Sequence, residues 1–203
     1  MPIKTATAPP DSLAALTSTL QSWVTHPAGA PGTAAAGISF AAAKGVDIKL
    51  PHPVYDVGLK DLATGKGLTK ATLVSWRYLL SDGDSTSVAE VSEPRGKKQP
   101  RAFAMLNRGP FVASLVETVE KATKNKAFAK SKYELAVLHI PALYVLALWL
   151  RSGTKTGKGV VIPLAPAPAP LTAGKSYSEE EFVAALVPAA KSADTESGPA
   201  LAS

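Results

Sequence analysis

The chain has no cysteine and only three histidines among its 203 residues. The missing thiols exclude a disulfide framework, a thiolate metal site and a cysteine nucleophile. The N-terminal segment MPIKTATAPPDS has one lysine and no apolar stretch, so the sequence shows no secretory signal. We therefore expect a cytoplasmic protein.

A hydrophobic run long enough to span a membrane is also missing. The longest apolar run, residues 135–150 (LAVLHIPALYVLALWL), has sixteen residues, whereas a membrane-spanning helix needs about 20. Its interior Pro141 would remove a backbone hydrogen bond within the bilayer, and His139 would need a partner there. We therefore predict that the chain has no membrane span.

The same run predicts the centre of a soluble sheet. It fits two strands, 133–140 and 142–150, or one strand bent at Pro141. A helix from Pro141 to Arg151 is the alternative, because a proline can begin a helix. The run has almost no polar alternation, which indicates that both of its faces are covered. We expect the predicted helices on one side and the proline-rich segment 163–170 or a partner on the other.

Three amphipathic helices are predicted from apolar residues that recur every three or four positions. The first covers residues 11–24, with Asp11 as its N-cap. The second begins at Pro110, since proline suits the first helical position. The third begins at Ser178 and Glu181, which form a capping box. The inner faces are predicted to carry Leu13, Leu16, Leu20, Trp23 and Val24 in the first helix, Phe111, Leu115, Val119 and Ala122 in the second, and Phe182, Ala185, Leu186 and Ala189 in the third.

Strands are predicted where apolar and polar residues alternate. Asp82-Gly83 marks a hairpin turn between two of these strands. Together with the helices, this order is typical of an α+β protein with a mostly antiparallel sheet of about five to seven strands and two or three helices packed on one face. The predicted strands are residues 54–62, 74–80, 86–91, 101–106, 133–140, 142–150 and 159–164.

The chain is long enough to close one substantial core, so we predict a single α+β domain over residues 11–191. A flexible N-terminal arm, residues 1–10, and a flexible C-terminal tail, residues 192–203, flank this domain because their composition leaves little to bury. Within the domain, a flexible linker of residues 26–36 follows the first helix.

Short motifs of known chemistry fail here on spacing or context. Residues 153–158 (GTKTGK) resemble a phosphate-binding loop, but the glycines are one residue too close and the segment leads into a strand. Gly37-x-Ser39-x-Ala41 lacks the strand and the helix that a nucleophile elbow requires. No histidine or carboxylate pair has the spacing of a metal site on a helix. The motifs therefore predict no cofactor, no metal and no catalytic residue.

One histidine lies where it could take part in chemistry. His139 lies inside the apolar run, and together with Tyr144 and Trp149 it could line the pocket of a small enzyme. The simpler interpretation is a core or edge histidine bonded to the backbone. Asp56 could likewise face a cleft, although exposure to water is the simpler expectation. The remaining histidines fall in proline-rich loops: His26 and His52.

Positive charge is concentrated in one region of the chain. The net charge is +6, but residues 94–158 contain thirteen lysines or arginines against three glutamates, which gives +10 for that region. Basic side chains there could contact the phosphates of a nucleic acid or of another polyanion. The simpler interpretation is a solvated helix end, since cations favour helix C-termini. The candidate polyanion-binding residues are Arg95, Lys97, Lys98, Arg101, Lys121, Lys124, Lys126, Lys130 and Lys132.

The sequence therefore favours a non-enzymatic interaction or assembly module, a structural or accessory subunit of a larger complex. A protein partner or a second copy of the chain would bind to its surface. Two alternatives stay open: nucleic-acid or other polyanion binding through residues 94–158, and a small enzyme with a pocket around His139.

Overall fold

A computed structural model describes residues 3–26, 46–81, 86–96, 99–128, 132–153 and 158–196. The strands are β1 (Ile3–Thr5), β2 (Asp47–Asp56), β3 (Thr72–Ser81), β4 (Thr86–Ser92), β5 (Ala102–Asn107), β6 (Tyr133–Ile140), β7 (Val145–Ser152), β8 (Val160–Pro163) and β9 (Tyr177–Ser178). The α-helices are α1 (Pro10–Thr25), α2 (Leu59–Ala63), α3 (Pro110–Lys124) and α4 (Glu179–Glu196), and short 3-10 helices cover Gly67–Lys70 and Pro141–Leu143.

The described strands form one sheet with the order β5-β4-β3-β2-β6-β7-β8-β9, and β1 pairs with the first half of β6. β1 and β2 run parallel to β6, whereas all the other pairs are antiparallel. The mixed, mostly antiparallel fold is confirmed. The sheet has nine strands rather than five to seven, because β1 and β9 span three and two residues, too few to show an alternation in sequence.

The long apolar run forms the hairpin β6–β7. Leu135 lies opposite Leu150, and Ile140 lies opposite Val145. The chain reverses through the 3-10 turn that begins at Pro141, so the second half of the run is strand rather than helix. None of the helices in the described part of the chain has the length and apolar character that a membrane span requires.

Helices cover both faces of this hairpin. On one face, which we call the α3 face, Leu115 of α3 packs in one cluster with Val137 and Leu148. On the opposite face, Phe182 of α4 packs in a cluster with Leu138, and α2 joins the same cluster. The expectation that the run is covered on both faces is confirmed.

α1 lies on the same face as α2 and α4, over β3, β4 and β5. There Leu16 and Leu20 pack with Trp76 and Tyr78. The prediction that helices cover one face only was therefore wrong. Both faces of β6 and β7 are apolar, so each face needs a cover, and no local pattern tells which face the β5-to-β6 connection will take.

Of the residues predicted to start the helices, those of α4 are confirmed and that of α1 was wrong. In α4 the capping box is present, because the Ser178 N–H donates to Glu181 Oε2 at 2.8 Å and the Glu181 N–H donates to Ser178 Oγ at 3.1 Å. The N-cap of α1 is Pro9 rather than Asp11, and no side chain caps that helix. The Asp11 carboxylate instead pairs with Arg101 Nη1 at 2.6 Å.

The region predicted as one strand over residues 54–62 holds two elements. β2 occupies Asp47–Asp56 and α2 follows it, so His52 lies in a strand and not in a loop. Proline has no N–H for the ladder, and β2 accommodates Pro51 through a register shift between Lys49 and His52. The two prolines of β2, Pro51 and Pro53, are the reason why the sequence pattern indicated a loop.

Secondary structure reaches into both of the end segments that were predicted to be flexible. Part of the segment predicted as an N-terminal arm forms β1, and α4 continues to Glu196, beyond residue 191. Several predicted features lie outside the described residues: the linker positions 27–36, the tail positions 197–203 and the Asp82-Gly83 turn.

Candidate functional site

A cavity of about 410 Å³ opens between α3, the sheet and the turn after β6. We call it the α3 groove. Apolar side chains form most of its wall, with Val112 and Leu115 from α3, Val88 from β4, and Val145 and Leu146 from β7. Ligand sites in proteins have volumes of about 300–1,000 Å³ and mainly apolar walls, so the groove has the size and the lining of a binding site.

Backbone geometry at two places shapes the groove. Gly109 has a φ of 123°, which favours glycine, and it leads into Pro110 at the first turn of α3. Tyr144 has a φ of 53° and closes the turn between β6 and β7. These two turns set the N-terminal end of α3 and the Tyr144 ring beside the same stretch of sheet.

The rim of the α3 groove collects exposed apolar side chains. Among the described residues the exposed large hydrophobic side chains are Leu13 at 43%, Met105 at 42%, Phe111 at 36% and Tyr144 at 86%. Three of these four line the groove. Phe111 was predicted to face the core, but it stands partly exposed on the groove rim in the first turn of α3. Helical periodicity does not reveal how a residue near the end of a helix is covered by the rest of the protein.

Charged groups in the groove are paired within the chain. Arg77 lines the groove, and its Nε donates to Glu90 Oε2 at 2.6 Å across the β3–β4 ladder. Their side chains are only 14% and 13% exposed. Because each charge is neutralised by the other, this part of the groove offers no free ionic partner to a ligand.

Asn107 and His139 supply the other polar side chains of the wall. The Nδ1 atom of His139 lies 3.0 Å from Asp56 Oδ1, and His139 and Asp56 are neighbours in the parallel β2–β6 register. A carboxylate only accepts hydrogen bonds, so Nδ1 carries the proton. In the neutral ring Nε2 is then an acceptor on the opposite edge.

The pocket predicted around His139 is present in part. Tyr144 lines the α3 groove together with His139, but Trp149 does not. Trp149 lies on the opposite face of β7, where its Nε1 donates to Glu179 Oε1 at 2.7 Å and its ring meets Tyr55 edge to face at 5.5 Å. Alternation along β7 turns Trp149 away from the face that carries Leu146 and Leu148.

His52 is a buried polar group that the sequence patterns missed. Its side chain is fully enclosed, and Leu50 O lies 2.7 Å from its Nδ1. Burial lowers the pKa of His52 to about 4, so the ring is neutral at pH 7. Its Nε2 has no hydrogen-bond partner among the described residues. His52 lies opposite Arg77 in the ladder, next to the groove but not in its wall.

The structure distributes the candidate polyanion-binding residues over separate surfaces. Arg101 pairs with Asp11 of α1 and with Glu93, whereas Lys121 and Lys124 stand on α3, on the other side of the sheet. Both of these lysines have glutamate partners one turn earlier in the helix. Three candidates lie outside the described residues: Lys97, Lys98 and Lys130. Polyanion binding by this segment stays a prediction.

Within the described part of the chain, no group of three or more histidine and acidic side chains could hold a metal ion. Positions 154–157 of the loop-like motif and the Gly37-x-Ser39-x-Ala41 motif lie outside the described residues. Comparison of the chain with protein-family models, with curated proteins and with solved structures found no match.

Proposed function

We propose that this chain is a non-enzymatic interaction module that docks a protein partner in the α3 groove. One observation carries the proposal: exposed Met105, Phe111 and Tyr144 surround a single apolar cavity. Scattered exposed apolar side chains are normal on a protein surface, whereas a cluster around a concave site marks an interaction surface. Aromatic side chains in such clusters supply much of the binding energy of protein interfaces.

The charges in the groove are compatible with docking. A partner that covers the groove removes water from the polar groups beneath it, and an unpaired charge would make this costly. Arg77 and Glu90 are already paired and largely buried, so covering them costs little more. The apolar walls from α3 and β7 then contribute favourably in proportion to the area that is buried.

Partner recovery from the native cell tests the proposal with a matched control. We expect tagged wild-type chain to co-purify a reproducible set of proteins, and Tyr144→Ala or Phe111→Ala to lose a member of that set. Leu13→Ala is the control, since Leu13 is an apolar side chain about as exposed as Phe111, at 43% against 36%, but lies on α1, on the opposite face. Retention of the whole set by both groove variants would contradict the proposal.

A small enzyme is the second candidate, favoured by the His139–Asp56 pair. A carboxylate that orients a histidine toward a cavity is an arrangement of general bases. The described wall of the groove contains no serine, threonine, cysteine or lysine, so the histidine would have to act on water or on the substrate itself. Hydrolysis of p-nitrophenyl acetate above the buffer rate, abolished by His139→Gln, would support this candidate over docking alone.

A further inference from the structure

The polar end of the α3 groove indicates which side chain of a partner enters it. We infer that the groove receives a tyrosine or tryptophan of the partner protein, whose O–H or N–H donates to His139 Nε2. This inference rests on the proposed docking function. It names the recognised group within the same site.

The first step is that His139 presents an acceptor. Asp56 Oδ1 fixes the proton on Nδ1, and the described residues give the ring no second hydrogen bond besides the one to Asp56. In the tautomer that carries its proton on Nδ1, the lone pair lies on Nε2, on the ring edge away from Asp56. A ligand that completes this site must bring a donor.

The donor that the partner brings to His139 is a neutral group rather than part of a charged one. Arg77 is neutralised by Glu90 at 2.6 Å, so no free cation awaits a carboxylate. Asp56 stands behind His139 and adds negative charge, which opposes an aspartate or glutamate. A lysine is disfavoured as well, because its strongly hydrated ammonium would have to enter a mainly apolar cavity.

The side chain that carries the donor must also fit the apolar part of the groove. The wall between α3 and β7 is apolar, and the rings of Phe111 and Tyr144 stand at its rim. An aromatic ring fills such a site and packs edge to face or offset against other rings. Tyrosine and tryptophan combine this ring with a neutral donor at its outer edge, and phenylalanine has the ring without the donor.

A titration with four blocked amino acids tests the inference on the full chain. The probes are the N-acetyl amides of tryptophan, tyrosine, phenylalanine and leucine, and amide chemical shifts follow their binding. We expect tryptophan and tyrosine to bind about fivefold to tenfold more tightly than phenylalanine, the usual worth of one hydrogen bond. Leucine should be weakest, and the shifted signals should map to the α3 groove.

Two variants separate recognition of the donor from burial of the ring. His139→Leu removes the acceptor and should bring the affinities for tryptophan, tyrosine and phenylalanine to the same value. Asp56→Ala frees Nδ1, so that the proton is no longer held on one nitrogen, and should reduce the preference without abolishing ring binding. The ratio of affinities is the readout, since a merely structural role would weaken all the probes alike. Asp56→Ala also keeps the test open if His139→Leu fails to fold.

Several results would overturn the inference. Equal affinity for phenylalanine and tyrosine in the wild-type chain would remove donor recognition while docking in the groove stands. Tighter binding of free L-tryptophan than of its blocked amide would indicate a metabolite site instead of a protein partner. An absence of groove shifts with every probe would end the inference, whereas the docking function is judged separately, by the recovery of partners with Tyr144→Ala.

Discussion

Two halves of the same sheet are covered differently. In β6 and β7, side chains on both faces are apolar, and residues such as Leu138 and Leu148 are fully buried between helices. In β3 and β4 the faces differ: Trp76 packs beneath α1, whereas Arg77 and Glu90 lie on the α3 face. The α3 groove opens where these two halves meet. The groove thus forms where the Arg77–Glu90 ion pair of one half meets apolar residues of the other, such as Leu146.

The largest expected loss of stability comes from a substitution in β6, in the half of the sheet that is buried on both faces. Leu138→Ala should lower the free energy of unfolding by about 2–5 kcal/mol, because it removes buried methyl groups and leaves a cavity. Met105→Ala, at an exposed position on the groove rim, should change it by less than about 0.5 kcal/mol. Chemical denaturation of both variants measures the contrast. Similar losses would show that the groove rim is part of the core.

The pH dependence of the free energy of unfolding tests whether His52 in β2, the strand between the two halves, is inaccessible to water. His52 has a pKa of about 4 in the folded protein against about 6.5 in the unfolded chain. As the pH falls from about 6.5 to about 4, His52 is protonated in the unfolded chain but stays neutral in the folded protein. Stability is therefore complete above about pH 6.5 and should fall by about 3 kcal/mol by pH 4.

His52→Leu serves as the comparison for this pH dependence. The variant should lose about 3 kcal/mol less between pH 7 and pH 4 than the wild-type chain. His26→Gln is the matched control, because His26 is an exposed histidine, and its pH profile should follow that of the wild type. Identical profiles for His52→Leu and the wild type would show that water reaches the His52 ring.

Breaking the Arg77–Glu90 ion pair on the groove side should lower the free energy of unfolding by a smaller amount. The loss should be largely reversed when both charges are removed together. Arg77→Met leaves Glu90 without its partner in a largely buried place, which should cost about 1–3 kcal/mol, the penalty of a buried acceptor left unsatisfied. The double variant Arg77→Met with Glu90→Leu should recover most of that loss, since apolar replacements of a buried pair are often neutral. Additive losses in this double-mutant cycle would mean that the two charges do not act as a pair.

Patterns within one segment predicted much of the fold. The continuous apolar run predicted cover on both faces of β6–β7, and the Ser178–Glu181 capping box predicted the start of α4. Both signals depend on residues close in sequence. The prolines of β2 misled the prediction, because they suggested a loop around His52.

The candidate site was predictable only in part. His139 and Tyr144 belong to one local run, and the alternative of a small enzyme placed them in one pocket with Trp149. The structure brings His139 and Tyr144 to one cavity, without Trp149. Asp56 lies 83 residues from His139, and their contact comes from the parallel β2–β6 pairing that no local pattern encodes. The exposure of Phe111 on the rim depends on what packs around the first turn of α3, which is also a tertiary property.

A site-specific photo-cross-link tests the docking surface most directly. Tyr144→p-benzoylphenylalanine places the reactive ring at the rim of the α3 groove, and Leu13→p-benzoylphenylalanine places it on α1, at an exposed apolar position on the opposite face. In the native cell we predict a discrete cross-linked partner from position 144 and none from position 13. A partner captured at position 13 alone, or the same products from both positions, would contradict docking in the groove.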